Sequence, residues 1–124
     1  MAFTIIAVDD EELILTLFQE SLKKAGYTVF TANNGIDALV MVKEHRPDMV
    51  FLDVSMPQMG GKEALKLIRE VDLNIAVVVV SGFTSEEDAR TLLADGAYDF
   101  IGKPFTLKRV YDIIEQRKLE LEYQ

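Results

Sequence analysis

Apolar residues along the chain are grouped in short continuous runs, and amphipathic stretches separate one run from the next. The runs are rich in β-branched residues and do not alternate with polar positions, which is typical of strands covered on both faces. We expect strands over residues 3–8, 27–32, 49–52, 75–80 and 98–101. Five strands alternating with helices predict an α/β fold, in which a parallel sheet carries helices on both faces.

Helical spacing of apolar residues predicts a helix after each strand. These helices are expected over residues 11–25, from 36 to a stop at 46–47, over 62–71, from 86 to a stop at 96, and from 105 onward. The apolar residues that define the first three are Leu13, Leu17, Phe18 and Leu22; Ile36, Leu39, Val40 and Val42; and Ala64, Leu65 and Ile68.

The 124 residues are 49% hydrophobic and 27% charged, which indicates one folded domain with a continuous core. The net charge of −8 disfavours direct binding to nucleic acid or to anionic membranes. The absence of cysteine excludes disulfides and thiolate metal sites. With no signal segment and no apolar run near the roughly 20 residues that span a bilayer, we expect a soluble cytoplasmic protein.

Polar residues follow four of the predicted strands. They are Asp9, Asp10 and Glu11 after the first strand, Asp53 after the third, Ser81 after the fourth and Lys103 after the fifth. Because ligand chemistry in parallel sheets collects at the carboxyl ends of the strands, we expect these groups to converge at one edge. Carboxylates brought together repel one another and need a cation, and all-oxygen ligands indicate Mg²⁺ or Mn²⁺.

Asp53 is the carboxylate best suited to act as a nucleophile, since it directly follows a buried strand. A carboxylate beside a divalent cation, an ammonium group and a hydroxyl can attack a phosphoryl group and carry it as an aspartyl phosphate. Asp9 and Asp10, at another strand end, are better suited to holding the metal from the side.

Four segments spread over the chain carry a family resemblance: VDDEE at 8–12, VFLDVSMPQMGG at 50–61, VVVVSG at 77–82 and GAYDFIGKPF at 96–105. In this order and spacing they resemble the receiver domain of two-component response regulators. The resemblance implies a doubly wound, flavodoxin-like sheet with strand order 2-1-3-4-5. It also implies a receiver domain over residues 1–117, with a helical extension or the start of a linker over 118–124.

Position by position, the resemblance makes Asp53 the phosphoacceptor, Asp10 a direct metal ligand and Asp9 its partner, acting through water. The backbone carbonyl of Ser55 would complete the protein ligands of Mg²⁺ or Mn²⁺. Such a domain is not an enzyme for other substrates, because it catalyses only its own phosphorylation and dephosphorylation.

The remaining site roles also come from the resemblance. Ser81 corresponds to the hydroxyl that turns toward the phosphoryl oxygens, and Lys103 corresponds to the lysine that pairs with them. The bond between Lys103 and Pro104 is expected to be cis. Phe100 corresponds to the switch aromatic on the fifth strand.

Three further positions are expected to tune the lifetime of the phosphorylated form. Gly82 offers the small side chain that phosphoryl access requires. Ser55 and Phe83 stand where relatives adjust hydrolysis, and neither is a good base for positioning water. The resemblance therefore implies a moderately slow self-hydrolysis.

The resemblance implies that a sensor histidine kinase or a phosphotransfer protein donates the phosphoryl group. The surface formed by helix 4, strand 5 and helix 5 would then change and meet a downstream effector. Basic and aromatic residues predict a partner site there, with a solvated face as the alternative; they are Arg90, Lys108, Arg109, Tyr111 and Arg117. The tail predicts either a linker to an effector module or a helix that forms a homodimer.

Three other functions fit parts of the sequence. A degenerate receiver that binds partners without phosphorylation would usually lack Asp53 or the acid pair. A flavodoxin-type flavin binder would need a Ser/Thr/Gly-rich phosphate loop where VDDEE stands. A metal-dependent hydrolase would need a base near Asp53, and none is apparent. The site residues also have structural interpretations, as helix-start acids, a turn serine, a surface lysine and a packed phenylalanine.

Overall fold

The computed structural model describes residues 3–54, 61–82 and 86–123 of the chain. Five strands and five helices alternate along this part of it. They are β1 Thr4–Val8, α1 Glu12–Lys24, β2 Thr28–Ala32, α2 Gly35–His45, β3 Met49–Asp53, α3 Gly61–Val71, β4 Ala76–Ser81, α4 Glu86–Ala94, β5 Asp99–Gly102 and α5 Leu107–Glu122. The five predicted strands are confirmed, with ends that differ by a single residue.

The strands form one parallel sheet in the order β2-β1-β3-β4-β5, which confirms the predicted doubly wound fold. The inner strands β3 and β4 are buried along their whole length, as their continuous apolar sequences require. The register pairs Val8 with Leu52 and Asp53 with Val80. The residues that follow β1, β3 and β4 therefore meet at one edge of the sheet, beside the point where the strand order reverses.

A hydrophobic layer covers each face of the sheet. Alternate residues of β1 point to opposite layers: Ile6 packs with buried residues of α2, α3 and α4, and Ile5 packs with buried residues of α1 and α5. Helices on both faces are thus confirmed. The described part of the chain has no helix that combines the length and the apolar content needed to cross a membrane.

The buried face of α1 includes only some of the apolar residues whose spacing predicted this helix. Leu15, Phe18 and Leu22 face the core, whereas Leu13 is 84% exposed and Leu17 is exposed as well. Successive residues turn by about 100° around a helix, so Leu13 lies on the side of α1 opposite to Leu15. The helix predicted over residues 11–25 is confirmed; of the apolar residues whose spacing predicted it, Phe18 and Leu22 are buried and Leu13 and Leu17 are exposed.

Small residues determine the contact face of α2. Gly35, Ala38 and Val42 are buried, while Ile36 and Val40 are exposed. Small side chains let a helix approach the sheet closely, and the larger ones then lie to the sides. The apolar spacing identified the helix but not this face; in α3 the predicted residues Ala64, Leu65 and Ile68 are all buried.

Candidate functional site

Three carboxylates come together at the carboxyl ends of β1 and β3. One oxygen atom from each of Asp9, Asp10 and Asp53 lies within 4.8 Å of the other two. Asp9 and Asp53 are only 3% and 2% exposed, whereas Asp10 is exposed. Because β1 and β3 are neighbours in the sheet, these segments meet although they are far apart in sequence.

The ammonium group of Lys103 lies among these carboxylates. Its Nζ is 2.9 Å from Oδ2 of Asp9, 3.5 Å from Oδ2 of Asp53 and 3.4 Å from Oε1 of Glu11. Burial alone would lower the pKa of Lys103, but the hydrogen bond to Asp9 and the charges of Asp9 and Asp53 outweigh it and raise that pKa above its usual value. Lys103 is therefore held as a cation inside the acidic cluster.

Contacts on either side of Lys103, which follows β5, hold its backbone in place. The backbone N–H of Lys103 donates a 2.9 Å hydrogen bond to the carbonyl of Ser81, at the end of β4. The peptide bond between Lys103 and Pro104 is cis, the isomer expected from the resemblance. The ring of Phe105 then packs against Phe18 of α1, with 5.5 Å between the ring centroids. The lysine thus extends toward the acids from a segment anchored at both ends.

Ser81 and Gly82 lie at the end of β4, next to the acidic pocket that Asp9, Asp10, Asp53 and Lys103 form. Ser81 is the last residue of β4, is buried, and pairs in register with Gly102. Asp53 pairs with Val80, so Ser81 lies one residue beyond the level of Asp53. A Cβ atom built on Gly82 would lie 3.7 Å from Cβ of Lys103, an ordinary van der Waals distance. Gly82 therefore adjoins Lys103, and its position has room for a small side chain.

Phe100 lies on β5, the edge strand next to β4. Its side chain is half-buried and packs against the layer that contains α3 and α4. Its backbone N–H donates to Oδ1 of Asp99, and Nη2 of Arg109 lies 3.4 Å from the Phe100 carbonyl oxygen. Phe100 is thus connected both to the core and to α5.

The basic and aromatic residues predicted to share one partner surface do not all lie together. Arg109 pairs with Asp99 of β5. The hydroxyl of Tyr111 instead donates to the carbonyl of Ser21, at 3.3 Å, so the ring packs between α5 and α1. Tyr111 therefore packs against α1, whereas Arg109 contacts β5.

The donor atoms of the pocket suit a hard divalent cation. Mg²⁺ and Mn²⁺ take oxygen ligands, and three carboxylate oxygens converge here while Lys103 supplies only one positive charge. The backbone N–H of Glu11 donates to Oδ1 of Asp9 at 2.9 Å and so orients that carboxylate. Two other predicted positions, the Ser55 carbonyl and Phe83, lie outside the described residues.

The contact between Glu11 and Lys103 was not predicted from the sequence. Glu11 was recognised as one of the acids after β1, but no role followed from that position. Its carboxylate reaches Lys103, which is 92 residues further along the chain. Only the packing of β5 beside β4 brings the lysine within reach, so no local sequence signal identifies the pair.

Residues 5–115 match the family model of the response regulator receiver domain. The sporulation initiation phosphotransferase F of Bacillus subtilis (strain 168) is 35% identical over 112 residues, which cover 90% of this chain and 90% of that protein. The alkaline phosphatase synthesis transcriptional regulatory protein PhoP of the same strain is 38% identical over 106 residues, which cover 86% of this chain and 44% of PhoP. This chain thus spans less than half the length of PhoP.

The fold is also shared with solved structures. A response regulator receiver domain protein from Clostridium thermocellum superimposes with a TM-score of 0.91 at 26% identity, and the match covers 99% of this chain and 98% of that one.

Proposed function

Because this chain belongs to the response regulator receiver domain family, we propose that it accepts a phosphoryl group on Asp53 from a sensor histidine kinase or a phosphotransfer protein. One observation carries the proposal. The buried carboxylate of Asp53 lies 3.5 Å from the ammonium group of Lys103 and within 4.8 Å of Asp9 and Asp10. This arrangement combines a nucleophile with groups that can balance the charge of a phosphoryl group.

The reaction follows from the chemistry of Asp53. One carboxylate oxygen forms the new bond to phosphorus, while the bond from phosphorus to the donor histidine nitrogen breaks and the imidazole leaves with the electron pair. Lys103 pairs with a phosphoryl oxygen and offsets the added charge. Ser81, at the end of the neighbouring strand, donates its hydroxyl to another phosphoryl oxygen.

Receiver domains bind Mg²⁺ at the acidic pocket, and the donors present here fit that ion. Asp10, Asp53 and the Ser55 carbonyl would hold Mg²⁺ or Mn²⁺ directly, with Asp9 acting through water. When bound, the ion supplies further positive charge against the phosphoryl oxygens.

Phosphorylation of Asp53 would change the local charge, and the packing around Ser81 and Phe100 would respond to that change. As Ser81 moves toward the phosphoryl group it vacates space, and Phe100 turns inward to fill it. The half-buried ring of Phe100 and the contact between its backbone carbonyl and Arg109 support this role. The changed surface consists of α4, β5 and α5, and it binds a downstream effector domain or protein.

The tail is the second part of the proposal. Residues 1–117 form the receiver domain, and residues 118–124 are an extension of α5 or the start of a linker. Leu119, Leu121 and Tyr123 are exposed apolar side chains on this segment. They support a contact outside the domain, with an effector module or with a second copy in a homodimer.

The family and the acidic pocket also support proposals on where the domain acts, what it catalyses and how long the aspartyl phosphate persists. The domain acts in the cytoplasm and catalyses only its own phosphorylation and dephosphorylation. With Gly82, Ser55 and Phe83 at the tuning positions, the aspartyl phosphate hydrolyses moderately slowly. Retention of Asp53 with the acid pair disfavours a receiver that works without phosphorylation.

The decisive experiment treats the protein with acetyl phosphate, with and without Mg²⁺, and follows intact mass. We expect the mass of one phosphoryl group to be added only when Mg²⁺ is present, and Asp53→Asn to abolish it. Asp95→Asn, which changes an exposed acid of the same type, is the matched control and should label normally. Labelling that persists in Asp53→Asn would show that Asp53 is not the phosphoacceptor.

A further inference from the structure

A closed set of contacts links Glu11, Asp9 and Lys103. The backbone N–H of Glu11 donates to Oδ1 of Asp9 at 2.9 Å. Lys103 donates to the other oxygen of Asp9 at 2.9 Å and, at 3.4 Å, to Oε1 of Glu11. Glu11 is therefore bound to Asp9 through its backbone and to the same lysine through its side chain.

The contacts of Lys103 conflict with those that a cation needs. Two of its three carboxylate partners, Asp9 and Asp53, also belong to the group of three acids whose oxygens converge. A carboxylate that turns its charge toward a dication holds an ammonium group less tightly, because the two cations repel each other. Lys103 must then weaken its contact with Asp9 and needs another acceptor if it is to stay in the pocket.

The position of Glu11 allows it to be the other acceptor for Lys103. Glu11 lies outside the group of three converging acids, and its side chain is 63% exposed, so its carboxylate has room to turn. Glu11 is also the N-cap residue of α1, yet within the described residues its side chain makes no capping hydrogen bond. Helix capping therefore does not account for the orientation of its carboxylate toward Lys103.

We propose that Glu11 is a positioning residue, which retains Lys103 at the mouth of the pocket when Asp9 and Asp53 bind a divalent cation. This rests on the metal site of the proposed function. Lys103 then stays close to Asp53 and pairs with the incoming phosphoryl group, whereas without Glu11 its flexible side chain extends into solvent. The consequence is a contact between Glu11 and Lys103 that is stronger with the cation bound than without it.

The test measures Mn²⁺ affinity by electron paramagnetic resonance in a double-mutant cycle. The four proteins are the unmodified chain, Glu11→Gln, Lys103→Met and the double variant. With Lys103 present, we expect Glu11→Gln to weaken Mn²⁺ binding by about threefold to tenfold. With methionine at position 103, we expect the same substitution to weaken binding by less than about twofold.

A matched control separates a contact from a simple loss of charge. Glu12→Gln removes the same charge from the next residue, which lines a different depression together with Leu15 and Asp37. Its effect should be equal with lysine or methionine at position 103. If Glu12→Gln depended on Lys103 as strongly as Glu11→Gln does, the inference would be overturned.

Other results are equally decisive. Equal losses for Glu11→Gln in both backgrounds, or tighter binding, would overturn the role of Glu11 and leave the proposed function intact. A lack of Mn²⁺ binding by the unmodified chain would overturn both. If Lys103→Met does not fold, the ¹⁵N signal of the Lys103 ammonium group replaces the cycle: with diamagnetic Mg²⁺ bound, the group should stay protected from proton exchange with water in the unmodified chain and lose that protection in Glu11→Gln. Protection that is equal in the two proteins would overturn the inference.

Discussion

The hydroxyl of Tyr98 donates a 2.7 Å hydrogen bond to Oε1 of Glu120, which connects the residue before β5 with the last turns of α5. Arg117 strengthens this connection. Its guanidinium lies 5.4 Å from the centroid of the Tyr98 ring, and its Nη2 donates to the carbonyl of Asn74 at 3.0 Å. The C-terminal half of α5 is thus attached at the amino end of the sheet, opposite to the acidic pocket.

The first prediction concerns the ionisation of Tyr98. Burial, followed by the hydrogen bond to Glu120 and its charge, raises the pKa of Tyr98 to about 12. In a titration followed by phenolate absorbance, Tyr98→Phe should remove one transition near pH 12. Glu120→Gln should move that transition toward the ordinary value of 10.0, whereas Glu122→Gln should not. A Tyr98 that titrates at the ordinary value in the unmodified chain would contradict the contact.

The same shift predicts how stability depends on pH. The pKa of Tyr98 is higher in the folded chain than in the unfolded chain, so its contribution is complete below about pH 10 and is lost as the pH rises through about 12. Thermal unfolding of Tyr98→Phe and of the unmodified chain should therefore differ by a constant amount between about pH 7 and about pH 9. The difference should shrink at higher pH.

The second prediction concerns Lys103. Lys103→Ala removes the cation beside Asp9 and Asp53, so binding of Mn²⁺ should be retained or strengthened. Phosphorylation by acetyl phosphate, or the surface change that follows it, should be weakened because the phosphoryl oxygens lose their partner. Lys108→Ala, at an exposed lysine paired with Asp112, is the control. Normal phosphorylation and switching in Lys103→Ala would remove Lys103 from the mechanism.

The third prediction concerns the ring of Phe100. Its orientation should differ between the protein with Mg²⁺ alone and the protein with Mg²⁺ and beryllofluoride, which mimics the phosphoryl group. Nuclear magnetic resonance of the aromatic side chains can follow this change. Phe105, whose ring is packed against Phe18, should keep its orientation and serves as an internal control. An unchanged Phe100 rotamer would show that this residue only packs.

The fourth prediction concerns Leu13 and Leu15, which lie on the exposed and the buried side of α1. Leu15→Ala should lower the free energy of unfolding by about 2–5 kcal/mol, because it opens a cavity in the core. Leu13→Ala should change it by less than about 0.5 kcal/mol, because Leu13 is exposed. Urea denaturation measures both. Similar losses for the two variants would contradict the orientation of α1.

The convergence of the site residues was predictable because it depends on two simple features. Buried parallel strands were recognisable from continuous apolar runs, and their carboxyl ends lie at one edge in any such sheet. The positions of Asp9, Asp53 and Lys103 at strand ends therefore indicated that they would meet. The strand order itself came from the family resemblance, since the pattern of apolar residues indicates only a parallel sheet.

The side of α1 that faces the sheet and the partners of Tyr111 were not predictable in this way. Both depend on which side of a helix faces the sheet, and a helix with apolar residues on several sides offers more than one solution. Leu13 and Leu15 are equally apolar, and only packing against β1 and β2 selects Leu15. Tyr111 was grouped with basic residues by sequence proximity, but the packing of α5 beside α1 directs it to Ser21.

The amino-acid sequence by itself determined the class of fold, the five strands and the acids and lysine that occupy their ends, because burial and strand direction follow from short local patterns. The tertiary structure alone decided that Glu11 also contacts Lys103 and that Glu120 meets Tyr98, and it set the distances from Lys103 to Asp9 and Asp53. Those contacts join segments far apart in the chain, and their distances depend on how neighbouring strands and helices pack, which no local pattern encodes.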